Sequence, residues 1–523
     1  MEFFKINKNL VAFLLFVLFW ASLLTFSGTL TSGYHFTDDH EIITINKNIK
    51  ENGLINASKS ILKEDLDIRF RPVYYLHRIA LVKLLGTNFL LWSVYNAILA
   101  IFTSFFLFLF LYLQGYKFVN ALLLPFLTLI GAQSAIWWRL GPCETIGLFL
   151  LSLSLFLLVN SIFRAKRYQL LGSLIFMILA SLSKESFIIF IPAYILILLW
   201  LKWKRQPYIN VSCFIRGNII LVIILLLFLS IEGGIIIFAI GTNKIGYAGI
   251  DDSFSIGHYL TFIYSHLRYN KYSYLIICGL FFLLQNVKSW KINLSSDFRK
   301  LLPYLFNALI LMAVILPQYL LYSKSNIFER YLLPLNLGLS FFVIFLSDEI
   351  FRSEEISLLS KRTYIFLILL VTFSFLRNET IPDAKIFADE GRSTNKFLSS
   401  IIAATKNDDS ILVVLNGYKN YEWGFSIIDY LANNADRRNI RFYTVDSQLN
   451  NVLEKDIDKR FSLSFDNIII KELNNNFSCI AILPFSNNIE IKSRIDSNYV
   501  YRRNDFGDFT VYTRRERTPD LKK

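Results

Sequence analysis

Cysteine and histidine are scarce in this chain, at four and five of 523 residues. Cys143, Cys213 and Cys278 lie in or beside apolar segments, and Cys479 stands alone in the C-terminal part. That distribution argues against a disulfide framework or a cysteine metal site, and so few histidines argue against histidine ligation. A glycine-rich phosphate loop, a Ser-His-Asp set and a repeat of fixed period are also missing, which removes the usual nucleotide-loop and hydrolase readings. Charged residues make up only 18% of the chain and gather in short connectors, where a soluble protein spreads them over its surface.

Apolar residues are abundant: 54% of the chain is hydrophobic and 16% aromatic, arranged in blocks. The blocks fall near residues 10–30, 89–113, 118–138, 145–163, 168–182, 187–203, 219–240, 272–284, 301–321, 332–346 and 364–375. Several are shorter than the roughly 20 residues of a straight bilayer crossing, so the reading is a polytopic α-helical membrane protein with about 11 spans. The first block follows Lys5 and Lys8 and lacks a small-residue cleavage site, which predicts an uncleaved anchor.

The net charge of +14 is topological rather than a sign of nucleic acid. Lys5 and Lys8, Lys117, Arg164 to Arg167, Lys202 to Arg205, Lys288 to Lys300, and Arg352 to Arg362 occupy alternate connectors. These mark the cytoplasmic side, which puts the N-terminus in the cytoplasm and the C-terminal part outside it. Two regions follow: a membrane domain over 1–380, with an outer loop at about 33–88 that carries surface helices, and an extracytoplasmic α/β domain over 381–523. In the second, 410–415, 439–445 and 479–484 read as strands, with an amphipathic helix around 424–433. A closing hairpin is expected to turn at Asn504-Asp-Phe-Gly507.

Charge beside an apolar run is costly and needs a reason. Four such places fall on the outer side. Asp38-Asp39 is a carboxylate pair that can accept a proton from an attacking hydroxyl, or simply a solvated loop like the pairs at Asp251 and Asp408. Arg71-Pro72, with Arg69, His77 and Arg78 nearby, suits a phosphate or diphosphate headgroup; headgroup anchoring of a surface helix is the plain alternative for Arg78 and Lys83. Lys184-Glu185 has almost no connector to solvate it and reads either as an ion pair at a tight turn or as a phosphate-neutralising cation beside an acid that orients a sugar hydroxyl or a cation. Glu329-Arg330-Tyr331, with Pro334, reads as a phosphate cap or as interfacial anchoring. Arg139 with Glu144, across Gly141-Pro142, and the isolated Glu232 are weaker candidates. Asp38, Asp39 and Glu185 offer oxygen ligands suited to magnesium or manganese.

In order, these motifs resemble the GT-C superfamily of membrane glycosyltransferases, which use polyprenyl-phosphate-linked sugars outside the cytoplasm. The likeness is strongest to the transmembrane module of tetratricopeptide-repeat O-mannosyltransferases, and more distant to the protein O-mannosyltransferases. Asp38-Asp39 with Ile42 and Asn46, Arg71-Pro72 with Asn96, Lys184-Glu185, and Glu329-Arg330-Tyr331 with Pro334 carry it. The tetratricopeptide repeats are absent, and the α/β tail has no counterpart there. The resemblance implies an inverting sugar transfer to an acceptor hydroxyl on a protein, lipid or polysaccharide. Asp38 would be the base and Asp39 would assist it; Arg71, Lys184 and Arg330 would hold the donor phosphate, and Glu185, Arg139 and Glu144 would position substrate. A polysaccharide or O-antigen ligase with a diphosphate-linked donor is the nearest alternative, and a secondary transporter or a membrane scaffold a more distant one.

Overall fold

A computed structural model describes residues 7–67, 69–205, 211–241, 255–284, 294–322, 329–415, 421–443, 477–484, 489–497 and 500–515. Asp251 therefore lies outside the described residues. Among them, eight helices are long and apolar enough to cross a membrane, and three shorter apolar helices, Phe118–Leu129, Tyr168–Ser181 and Lys271–Leu284, accompany them. Each expected span overlaps one of these helices, but the helix expected over 118–138 stops at Leu129 and is followed by a 3-10 turn, Ala132–Trp137. The chain is an integral membrane protein, mostly helical, with one small sheet near its C-terminus.

Two compact units account for the chain: Met1–Ser27, Ser58–Arg78 and Val94–Ala384 form one, and Gly28–Ala57, Ile79–Ser93 and Lys385–Lys523 the other. The first is a helical assembly. Its helix Leu333–Arg352 is buried along nearly its whole length, whereas Gly217–Ile240 is more apolar still and only 11% buried. An exposed helix of that composition is stable only against hydrocarbon, since leaving it in water forfeits about 25 cal/mol per Å² of apolar surface. Helix Leu358–Phe375 does not stop where the composition shifts. It runs through a π-helical turn, Leu376–Thr380, into Ile381–Ala404.

The second unit holds a five-stranded sheet of β1 (Ile411–Val414), β2 (Ile440–Tyr443), β3 (Cys479–Ile482), β4 (Tyr501–Phe506) and β5 (Phe509–Arg514). Its order is β2-β1-β3-β5-β4, with β2-β1-β3 parallel and the β4-β5 hairpin antiparallel. β1 and β3 are buried on both faces, which is why they read as unbroken apolar runs. The expected helix is Tyr421–Ile428, continued as a π-helix over Asp429–Asn434. The hairpin turn differs from expectation. Phe506 pairs with Phe509, so Asn504 to Phe506 belong to β4 and the loop is Gly507-Asp508. Gly507 has φ +60°, the left-handed region glycine enters without a steric cost, and that fixes the turn there.

Tyr34, Phe36 and Ile43 share one core with Phe397, Ile401, Ile411, Val413, Phe425, Phe442 and Val511. The segment after the first apolar helix is thus an integral part of the α/β unit's interior.

Candidate functional site

Arg71, Glu144, Lys184 and Arg330 converge within the helical unit, although they are widely separated in the sequence. Arg71 immediately precedes helix Pro72–Leu85, Glu144 opens helix Glu144–Phe163, and Arg330 lies in the turn Glu329–Leu332 that leads into Leu333–Arg352. Helix N-termini present unsatisfied backbone N–H groups and partial positive charge, an environment favourable to an anion.

Lys184 and Glu144, 3% and 2% exposed, form a buried ion pair. The Lys184 ammonium also sits 4.1 Å from the centre of the Tyr331 ring, which Tyr322 stacks against at 5.5 Å. Arg330 donates to the Tyr331 hydroxyl at 3.2 Å and lies within electrostatic range of Glu144. Arg71 is held by Asp65: its Nη2 and Nε reach Oδ1 at 2.8 and 3.1 Å, and its backbone N–H donates to Oδ2 at 2.7 Å. The same guanidinium reaches the Tyr75 hydroxyl at 3.2 Å and the Cys143 sulfur at 3.4 Å. Burial opposes its charge, but Cys143, Tyr75, Asp65 and Glu185 outweigh that and raise its pKa further. Burial pushes the Cys143 thiol up to about 11, against the pull of Arg71 and Lys184. Cys143 is thus the point that Arg71, Lys184, Glu144 and Glu185 all surround.

Glu185 is 3% exposed, and among the described residues neither of its carboxylate oxygens has a hydrogen-bond partner. A buried acceptor left unmade costs about 1–3 kcal/mol, more for a charged group, so this carboxylate is an acceptor in waiting. Glu232, near the end of helix Val211–Gly234, is buried; it accepts from Ser181 Oγ at 2.9 Å and interacts electrostatically with Glu185.

Glu144 pairs with Lys184, while Arg139 has Asp383 within electrostatic range and its carbonyl accepts from Asn96 Nδ2 at 3.0 Å. Arg78 is not a headgroup anchor. It is 2% exposed, donates to the Leu140 carbonyl at 2.6 Å and lies over the Tyr74 ring, where it braces the Gly141-Pro142 turn. Neighbouring His77 is lowered to about 4 by burial and by Arg78, so it is a neutral partner of Tyr95 at 2.6 Å rather than a further cation.

Asp38 and Asp39 lie in the second unit. Asp39 is 1% exposed; its Oδ2 accepts from the His35 backbone N–H at 2.9 Å and lies 3.5 Å from His35 Nδ1. His35 stacks on Phe387, with ring centres 3.7 Å apart, and its Nε2 meets the Phe387 carbonyl at 3.0 Å. Asp38 is half-buried with φ +67°, and its backbone N–H donates to Glu422 Oε1 at 2.9 Å. The two adjacent acids therefore differ in burial: Asp39 is buried and Asp38 half-buried. Among the described residues, no group of three His, Cys, Asp or Glu side chains could hold a metal ion.

No family model and no curated protein matches the chain. Two solved structures align with it over nearly its whole length. One is ArnT from Cupriavidus metallidurans bound to undecaprenyl phosphate, with a TM-score of 0.47 and 11% identity over 95% of this chain and 97% of that one. The other is the same protein in the apo state, with a TM-score of 0.45, 11% identity and the same coverage. Scores below 0.5 at this identity leave the site to be read from the chain's own residues.

The sequence did not point to Asp65, Cys143, Tyr75 or Tyr322. Asp65 lies in an ordinary polar run, Lys63-Glu-Asp-Leu66, where nothing distinguishes it from its neighbours. Its role appears only when the chain folds back six residues later.

Proposed function

We propose that this protein is an inverting membrane glycosyltransferase of the GT-C kind, moving a sugar from a polyprenyl-phosphate donor to an acceptor hydroxyl on the extracytoplasmic face. The observation that carries the reading is the convergence of Arg71, Lys184 and Arg330 with Glu144 and Glu185 at helix ends. Preorganised cations stabilise a leaving phosphate as its charge grows, and they do so best where water is excluded. Three formal cations face the three formal carboxylates Asp65, Glu144 and Glu185. This near balance favours a singly charged phosphodiester donor over the diphosphate of a ligase.

In the proposed reaction the acceptor oxygen attacks the anomeric carbon, and its proton passes to Asp38. The bond from that carbon to the phosphate oxygen breaks, and polyprenyl phosphate leaves with the electron pair. One base suffices, because the leaving phosphate needs charge stabilisation rather than a proton. Asp38 is assigned this role because it is the less buried residue of the pair; the Asp39 carboxylate accepts from the His35 backbone N–H. Glu185, with both oxygens unmade, is assigned to the hydroxyls of the donor sugar.

The test compares surface glycans and glycoproteins by mass spectrometry in a deletion strain complemented with wild type, Asp38→Asn, Asp39→Asn or Arg71→Ala. Loss of a defined hexose-type mass increment in the deletion, restored by wild type but not by Asp38→Asn or Arg71→Ala, is expected. Full rescue by both aspartate variants would sink the mechanism.

A further inference from the structure

Asp38 is a non-glycine residue in the left-handed region, a conformation that persists only where the surroundings hold it. Its N–H is held by the Glu422 carboxylate at 2.9 Å, in the first turn of helix Tyr421–Ile428. One helical turn on, Ser426 binds the same segment three ways. Its hydroxyl donates to the Phe36 carbonyl, its carbonyl accepts from the Tyr34 hydroxyl at 2.8 Å, and its Oγ lies 3.1 Å from His40 Nδ1. Asp429, three residues further, accepts from Thr44 Oγ1 at 2.8 Å. Glu422, Ser426 and Asp429 recur at helical spacing, so a single helix face addresses Tyr34, Phe36, Asp38, His40 and Thr44.

We infer that helix 421–434 of the C-terminal α/β unit is the positioning element for the Asp38-Asp39 segment, with Glu422 as the positioning residue that fixes the Asp38 backbone. This rests on Asp38 being the proton acceptor and gives the α/β unit a role in the reaction. A carboxylate accepting a backbone N–H makes a strong, directional hydrogen bond. Losing it lets a strained residue relax and moves its carboxylate away from the acceptor hydroxyl.

The experiment uses the full-length chain in the deletion strain, with product measured by mass spectrometry and normalised to the amount of protein in the membrane. Glu422→Ala is expected to lower product formation by about tenfold or more, whereas Glu422→Gln, which keeps an oxygen to accept the N–H, stays within about threefold of wild type. Asp496→Asn, which loosens the Tyr512 and Arg503 contacts of the same unit without touching residues 34–44, is the control and leaves activity unchanged. A second readout is the thermal shift that a polyprenyl monophosphate gives the purified protein, expected to be retained in Glu422→Ala. Glu422→Ala at wild-type activity, or Glu422→Gln as impaired as Glu422→Ala, would overturn the inference. So would loss of the thermal shift in Glu422→Ala, since it would mark general damage rather than positioning. Wild-type activity in Asp38→Asn would instead overturn the reading of Asp38 itself.

Discussion

Lys184 shows how much one residue can carry. Its charge is buried almost completely, so its stability depends on Glu144 and on the Tyr331 ring. Removing one member of such a pair strands the other charge, whereas replacing both with apolar groups is often tolerated. Lys184→Gln is therefore expected to destabilise the helical unit by roughly 3–5 kcal/mol, with Lys184→Met/Glu144→Leu recovering most of that. Thermal unfolding of the purified protein in detergent checks both. The double variant should remain inactive in the glycan assay because the cation is gone, a separation of folding from function that a purely structural ion pair would not show. At this scale the sequence revealed candidates by their cost: a charge placed against an apolar run needs a reason, and Lys184-Glu185, Arg71 and Glu329-Arg330 all stood out that way. Partners were not legible. Asp65 for Arg71 and Glu422 for Asp38 look ordinary in the sequence, because a side-chain hydrogen bond made by a chain reversal or a long-range contact leaves no periodicity.

Helices and strands were legible where one physical pattern dominated. A run of apolar residues long enough for a bilayer has few alternatives to a helix, because its backbone must satisfy itself in hydrocarbon. β1 and β3 announced themselves as short β-branched runs. Boundaries depended on finer balances: the β4-β5 turn moved toward the C-terminus because Gly507 alone takes a positive φ without strain, and cross-strand pairing fixes the register around it. Gly507→Ala is expected to destabilise the α/β unit by about 1 kcal/mol or more, since alanine must enter the left-handed region. Its new methyl would also approach Ser393 Oγ at 3.2 Å. Chemical denaturation followed through the sheet's circular dichroism measures this. An unchanged midpoint would mean that the turn shifts register without cost.

Among the described residues, eight long helices and three shorter apolar ones, an odd number, accord with the proposal that the two chain ends lie on opposite sides of the membrane. In the orientation we propose from the basic connectors, the N-terminus is on the cytoplasmic side. A reporter that is active only outside the cytoplasm, fused after Lys523, is expected to be active, and the same reporter fused after Lys117 silent; the reverse pattern would remove Arg71, Lys184 and Arg330 from the outer face. The sequence by itself determined the membrane class, the spans, the α/β tail and the kinds of residue able to do chemistry, because hydrophobic burial and the cost of buried charge act locally along the chain. Only the tertiary structure decided the partners. It brought Arg71, Lys184, Glu144 and Glu185 within electrostatic range of Cys143, paired Glu144 with Lys184, and put Tyr34, Phe36 and Ile43 into the core of the C-terminal unit. These contacts join residues tens to hundreds of positions apart, and their energies arise only when folding has excluded the water between them.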